Sequence, residues 1–280
     1  MIKQEFIIRE QLVKPVVKSG NGGAVWVPKD WLGQEVIVIL PERPRISLKQ
    51  KILKKLEPCL QDVLGVYIYG SYAREEQTPQ SDVDILVITQ EKTFQLKERG
   101  LEFTILPLER LKNAIKKSPE MFYTMVQEAQ PIINAPLLKE LQNIQPDKKA
   151  FSQYILQTKE HLKSSKQLLE LDKQESNILE SYSVIYSTIL RLRGVFIIEC
   201  ILGKEKFSSL SFRKWLNKKS INKAEFQKAY EIFRAVRGNK KPRQKIPIEL
   251  AEKFINLLEK EASILGERIC QRGKRDCKKE

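Results

Sequence analysis

The chain has 280 residues, of which 41% are hydrophobic, and a formal net charge of +15 at pH 7. This length and composition are typical of a globular protein with two or three domains, and no apolar run is long enough to span a bilayer. The positive charge favours a polyanionic partner, a nucleic acid or a nucleotide, although a solvated basic surface would give the same total. The first residues lack the apolar stretch of a signal peptide, so we expect a cytoplasmic protein without membrane attachment.

Residues 1–42 are predicted to form a small β unit. Two apolar runs flank Ser19-Gly20-Asn21-Gly22-Gly23, whose glycines and asparagine suit the turn of a hairpin. A one-turn helix is predicted at PKDWLG, ended by Gly33, and a further strand at QEVIVILPE. Because about forty residues can hardly bury a core alone, the unit is expected to pair with a second copy or to lean on the rest of the chain.

The segment VVKSGNGGAVWVPKDWLGQEVIVIL resembles the AbrB/SpoVT swapped-hairpin family. Members of that family form intertwined dimers, and many of them bind DNA through basic residues. The resemblance implies a homodimer here, with Lys14, Lys18 and Lys29 as candidate DNA contacts. It leaves open whether the unit binds DNA or only dimerises.

Residues 47–145 are predicted to form an α/β domain with a small mixed sheet. Apolar residues recur at helical spacing from Leu48 to Val63. Strands are predicted at GVYIYGS, DVDILVIT and LEFTILP, and helices at LERLKNAIKKS and PEMFYTMVQEA.

Two carboxylates interrupt the second of these strands. Side chains alternate along a strand, so Asp82 and Asp84 project from one face while Val83 and Ile85 project from the other. Two parallel carboxylates repel each other, and a divalent cation with oxygen ligands removes the repulsion. The pattern therefore predicts a site for two Mg²⁺ ions, with Mn²⁺ as an alternative, suited to phosphoryl-type transfer.

The turn before this strand is predicted to contact a nucleotide. Gly70 lets the backbone approach a phosphate, and a helix starting at Ser71 would present N–H groups to it. The Ser71 hydroxyl can hydrogen-bond a triphosphate oxygen, and Arg74 is close enough in sequence to add positive charge.

The segment VYIYGSYAREEQTPQSDVDILVI resembles the nucleotidyltransferase superfamily of DNA polymerase beta, especially its minimal and kanamycin nucleotidyltransferase branches. The family motif falls on Gly70, Ser71, Asp82 and Asp84. The resemblance also implies a third carboxylate on a later strand, which is Glu102 in GLEFTILP, as a metal ligand or as a general base. The catalytic and metal-binding set implied is thus Asp82, Asp84 and Glu102.

Residues 146–280 are predicted to form a helical bundle of four or five long helices. They carry +13 of the net charge, with basic clusters at 213–219 and 234–245 that could track a nucleic acid. Arg191 and Arg193 interrupt an apolar helix and need a partner, for which the acceptor or the nucleotide is one candidate. The region loosely resembles the helical regions of kanamycin nucleotidyltransferase and of the HEPN group.

The fold class expected is α+β, with a small β unit, a nucleotidyltransferase domain and a helical bundle. The expected activity is transfer of a nucleoside monophosphate, first of all AMP from ATP, to a protein, RNA or small-molecule acceptor, with release of pyrophosphate. The alternative is a non-catalytic DNA-binding regulator or antitoxin built on the same fold. The intact set of Gly70, Ser71, Asp82 and Asp84 favours the enzyme, whereas nothing in the sequence identifies the acceptor.

Overall fold

The computed structural model describes residues 14, 16–36, 38, 47–79 and 81–276. The chain divides into two units, Met1–Ser47 and Leu48–Glu280. Within the described part, none of the helices combines the length and the apolar character needed to cross a membrane. The class is α+β, as predicted from the sequence.

The first unit contains the predicted hairpin. Strands β1 (Val17–Ser19) and β2 (Gly22–Ala24) are antiparallel, with Ser19 opposite Gly22. Gly20 in the turn has φ +58°, a left-handed conformation that glycine adopts readily. The glycine-rich loop therefore forms the hairpin turn that its composition predicts.

The predicted one-turn helix is also present in this unit. A 3₁₀ helix spans Lys29–Trp31, and Gly33 beyond it has φ +79°. The predicted strand at QEVIVILPE is not formed at Gln34–Val36 or Val38, and its remaining residues lie outside the described part of the chain.

The second unit alternates helices and strands before it becomes wholly helical. Its elements are α1 (Leu48–Leu56), a 3₁₀ segment (Glu57–Asp62), β3 (Val63–Tyr69), α2 (Gly70–Ala73), β4 (Val83–Thr89), β5 (Leu101–Pro107), α3 (Leu108–Lys117), α4 (Pro119–Glu128), β6 (Gln130–Ile133), α5 (Ala135–Gln142), α6 (Lys148–Glu175), α7 (Tyr182–Gly203), α8 (Ser209–Lys218), α9 (Lys223–Arg237) and α10 (Ile248–Asp276).

Four elements differ from the sequence-based expectation. The first helix ends at Leu56 rather than Val63, because Pro58 cannot continue the hydrogen-bond ladder of an α-helix. The long apolar helix, predicted over ESNILESYSVIYSTILRLRGVFIIECIL, begins only at Tyr182. The carboxylate of Asp172 accepts the backbone N–H groups of Glu180 and Ser181 and holds that segment out of the helix. Strand β6 and helix α5 were not predicted. The predicted boundary near residue 145 marks the start of the helical segment within this one unit.

The sheet has the order β5-β4-β3-β6. Strands β4 and β5 are parallel, whereas β3 is antiparallel to both of its neighbours. It is therefore the small mixed sheet expected from the sequence.

Helices cover both faces of this sheet. Ile85 and Val87 of β4 pack with Ile52 and Leu56 of α1 on one face. The alternate residues of β3 and β4, Tyr67, Leu86 and Ile88, pack on the other face with buried side chains of α3, α4 and α5. Asp84 alternates with Ile85 and so shares this second face.

A separate core is formed by the five helices α6 to α10. It is centred on α7, whose apolar residues face α6, α9 and α10. Helix α4 packs on α7, so the sheet half and the helical half are in contact within one unit.

The turn between β3 and α2 depends on a glycine. Gly70 has φ +74°, and a Cβ placed there would overlap the carboxylate oxygen Oδ2 of Asp84 and lie 3.0 Å from its Cγ. Both the backbone conformation and the close approach to Asp84 therefore exclude a side chain at this position.

We expect Gly70→Ala to lower the free energy of unfolding by about 2 to 5 kcal/mol, because it combines left-handed strain with overlap of Asp84. Gly100→Ala is the matched control: Gly100 has φ +77° but open space where a Cβ would be. That variant should lose only the strain, about 1 to 2 kcal/mol. Urea unfolding of both variants measures the difference, and equal losses would contradict the close packing of Gly70 on Asp84.

Candidate active site

Asp84 and Glu102 lie side by side on the parallel strands β4 and β5. They are register partners, so both side chains project from the same face of the sheet. Burial raises the pKa of Asp84 to about 6, and repulsion from the Glu102 carboxylate adds to the effect. The Glu102 side chain is 58% exposed. The pair is therefore a half-buried concentration of negative charge.

Asp82 does not complete a three-carboxylate cluster with this pair. It precedes the first residue of β4 and is exposed. Together with Glu102, Asp82 lines an open cavity of about 590 Å³ whose remaining wall is the segment 96–103. The structure thus makes Asp84 and Glu102 register partners and places Asp82 and Glu102 on one cavity wall.

The turn predicted to bind a nucleotide lies against the Asp84 carboxylate. Its helix, α2, begins at Gly70 rather than Ser71 and has only four residues. The N–H of Gly70 donates to Oε1 of Glu128 at 2.8 Å. The half-buried Ser71 hydroxyl makes no hydrogen bond to any described residue.

Arg74 is held by two carboxylates. Its Nη1 lies 2.6 Å from Oε2 of Glu128, and its Nε lies 2.9 Å from Oε2 of Glu76. Glu76 in turn accepts the backbone N–H of Ser209 at the start of α8. Only 12% of the Arg74 side chain is exposed, and its guanidinium lies over the ring of Phe207. Its charge is therefore already matched within the protein, and its predicted contact with a nucleotide stays a prediction.

A tyrosine and a threonine flank Asp84 on the same face. Tyr69 is the register partner of Asp84 on β3, and its hydroxyl is 2.9 Å from Oγ1 of Thr104 on β5. Burial raises the pKa of Tyr69 to about 12, and the nearby Asp84 and Glu102 carboxylates contribute in the same direction. The phenol stays protonated at neutral pH and remains a hydrogen-bond donor beside the carboxylates.

The helical half contributes arginines to the same region. Nη2 of Arg237, on α9, is 3.8 Å from Oε2 of Glu102. Arg193, on α7, has its guanidinium carbon 4.9 Å from the centre of the Phe207 ring, over which Arg74 also lies. Burial lowers the pKa of Arg193, and the neighbouring Arg74 contributes in the same direction. Sequence reasoning singled out Arg193 as lacking a partner but could not place it beside Arg74 on the Phe207 ring.

The donors of the Asp84–Glu102 pair suit a hard divalent cation. Carboxylate oxygens are the ligands that Mg²⁺ prefers, and a bound cation would relieve the repulsion that raises the pKa of Asp84. Among the described residues, no three His, Cys, Asp or Glu side chains form a ready-made cluster. A third ligand from Asp82 therefore requires its side chain to turn toward the pair.

Glu128 is the site residue that sequence reasoning missed. It ends α4, a helix about sixty residues after the turn, yet it contacts both Gly70 and Arg74. Burial raises its pKa, whereas Arg74 acts in the opposite direction. An acidic residue at the end of an amphipathic helix carries no local signal of such a contact.

Known proteins similar to this chain include a family and several solved structures. The family model described as "Nucleotidyltransferase domain" matches residues 46–185, and the comparison with curated proteins found no match. A solved structure, a nucleotidyltransferase-like protein from Exiguobacterium sibiricum 255-15, is 11% identical with a TM-score of 0.37, and the match covers 80% of each chain. That likeness is too weak to carry an argument. Because the family model spans half of the chain and includes Gly70, Asp84 and Glu102, the chain belongs to the nucleotidyltransferase domain family.

Proposed function

We propose that this protein is a Mg²⁺-dependent enzyme that transfers a nucleoside monophosphate, first of all AMP from ATP, to an acceptor and releases pyrophosphate. The observation that carries the proposal is the Asp84–Glu102 pair beside the Gly70-Ser71 turn, inside the segment that matches the family. The alternative of a non-catalytic DNA-binding regulator is not favoured, because it gives no reason to keep a destabilising pair of carboxylates.

In this mechanism Asp84, Glu102 and Asp82 hold the metal. Bound Mg²⁺ would activate the attacking hydroxyl and neutralise charge on the leaving phosphates. The Ser71 hydroxyl, which has no partner among the described residues, donates to a phosphate oxygen. Arg74, already paired with Glu76 and Glu128, positions the turn.

The acceptor would enter from the cavity that Asp82 and Glu102 line. Its volume of about 590 Å³ is within the range of small-molecule sites, and it opens next to the carboxylates. A small molecule, a protein side chain or an RNA end would fit this opening, and the exposed basic residues 240–245 favour RNA among them. Incubation with labelled ATP and Mg²⁺ in the presence of each acceptor class, followed by a search for labelled product, decides the class.

Neutralising Asp84 should abolish transfer and leave the fold intact. Asp84→Asn removes an anionic ligand but keeps the shape, so we expect activity to fall by about 100-fold or more. Asp82→Asn should have the same direction of effect. Asp62→Asn is the control, since Asp62 forms a surface ion pair with Lys92 at the far end of β3. Label transfer from ATP is the measurement, and wild-type turnover by Asp84→Asn would contradict the proposal.

The two roles of Glu102 differ in their response to Mg²⁺. Glu102 lies beside Asp84 and affects its charge state, so we expect the ligand role: Glu102→Gln should raise the Mg²⁺ concentration needed for half-maximal activity. A general base would instead lose rate by roughly 10²–10⁴-fold without a change in the Mg²⁺ requirement. Glu109→Gln, in an exposed ion pair with Lys112 on α3, is the control. A Mg²⁺ titration of activity distinguishes the two roles.

We also propose that the first unit makes the protein a homodimer. Large apolar side chains are exposed in it: Trp26 is 73%, Leu32 74% and Val38 71% exposed. Such a concentration of apolar surface in a unit too small to bury a core favours a second copy as its partner. The exposed Lys14, Lys18 and Lys29 are the groups through which the dimer would contact DNA.

Light scattering of the full-length protein should give the mass of a dimer at micromolar concentration. Deletion of residues 1–42 should give a monomer that keeps the nucleotide site, and Trp26→Asp should weaken the dimer because it places a charge on the apolar surface. Lys18→Ala, in the same hairpin, is the control and should stay dimeric. A monomeric full-length protein at high micromolar concentration would contradict the proposed dimer.

A further inference from the structure

Arg193 is a half-buried cation without a hydrogen-bonded anion among the described residues. It lies on α7 among buried apolar residues, and its guanidinium stacks on Phe207. In the described part of the chain, no carboxylate or carbonyl accepts a hydrogen bond from it. A guanidinium withdrawn from water without a partner is costly, so a fold that keeps one at a site indicates an anion that arrives from outside.

The surroundings of Arg193 place that anion at the proposed nucleotide site. The charges that act on its guanidinium belong to Arg74, Glu128 and Arg237, together with the phenol of Tyr230. Arg74 and Glu128 hold the Gly70 turn, and Arg237 faces Glu102. Arg193 therefore lies where the turn, the carboxylates and the helical half meet.

The cations of this region differ in their availability. Arg74 is neutralised by Glu76 and Glu128 at hydrogen-bond distance. Arg237 is 59% exposed and makes only a long contact of 3.8 Å to Glu102. The Arg193 side chain has no ion-pair or hydrogen-bond partner among the described residues. Arg193 and Arg237 are therefore the two helix cations of this region that are available to a ligand.

We propose that Arg193 and Arg237 bind the polyphosphate of the substrate nucleotide and retain the pyrophosphate that leaves. This inference rests on the proposed function, and it assigns the polyphosphate contacts to the helical half. Guanidinium groups make paired, charge-assisted hydrogen bonds to phosphate oxygens, and such bonds strengthen as charge moves onto a leaving pyrophosphate.

Binding of inorganic tripolyphosphate to the full-length protein tests the proposal without any transfer reaction. Isothermal titration calorimetry at low salt, in EDTA, removes the contribution of a metal. Arg193→Met should weaken tripolyphosphate binding by about 10- to 100-fold, as expected for a lost charged hydrogen-bond donor, and Arg237→Met by about 3- to 10-fold.

Arg191→Met is the matched control. Arg191 lies on the same helix and also stacks on an aromatic ring, that of Tyr154, and the carboxylate near it is Glu120. Its removal should change the affinity less than twofold. Arg193→Lys keeps the charge and should recover part of the lost affinity, whereas a role limited to stacking on Phe207 would leave the Lys and Met variants alike.

Wild-type affinity in Arg193→Met, an equal loss in Arg191→Met, or no binding by the unaltered protein would each overturn the inference. If circular dichroism shows that Arg193→Met is unfolded, the exposed Arg237 decides: its Met variant must lose affinity. Different outcomes would contradict the proposed function and the polyphosphate site. Arginine-dependent binding without any monophosphate transfer would leave the polyphosphate site standing, whereas Asp84-dependent transfer with arginine-independent binding would overturn only the inference.

Discussion

The position of Asp84 is the constraint on which the rest of the site depends. Its carboxylate is half-buried, lies beside Glu102 and packs against Gly70, a position that accepts only glycine. Burial and like charge both work against its ionised form. A sheet built only for stability would carry an apolar residue there, as it does at Leu86 two positions further on. The ionised carboxylate at this position therefore lowers the stability of the strand, and a bound cation would offset that loss.

The turn beside Asp84 is held by groups from distant parts of the chain. Glu128, at the end of α4, accepts the Gly70 N–H and pairs with Arg74. Arg74 also holds Glu76, whose carboxylate accepts a backbone N–H at the start of α8. Glu76 accepts hydrogen bonds from Arg74 and from the positive N-terminal end of α8. These bonds lower the pKa of Glu76, although burial acts in the opposite direction. The conformation of the turn is therefore coupled to the docking of the helical half.

The two halves bring opposite charges to one place. The sheet supplies Asp84 and Glu102, and the helices supply Arg193 and Arg237. A metal-bound polyphosphate matches this arrangement, since its cation binds carboxylate oxygens and its outer oxygens accept hydrogen bonds from guanidinium groups. This division explains why an arginine is retained inside an apolar helix.

The sequence by itself determined the local features of this protein. Alternation of apolar residues fixed β3, β4 and β5, the glycine-rich segment fixed the first hairpin, and helical periodicity located most helices because these signals act between near neighbours. The Gly70-Ser71 turn and the Asp82 and Asp84 carboxylates could be identified for the same reason. Only the tertiary structure decided that β4 and β5 are parallel and in register, which places Glu102 beside Asp84. It also added β6, placed Asp82 and Glu102 on one cavity wall, and brought Glu128 to Gly70 and Arg193 to the Phe207 ring that Arg74 also covers. Those contacts join residues tens to more than a hundred positions apart, and no local pattern of side chains encodes a pairing that only the packing of sheet on helices creates.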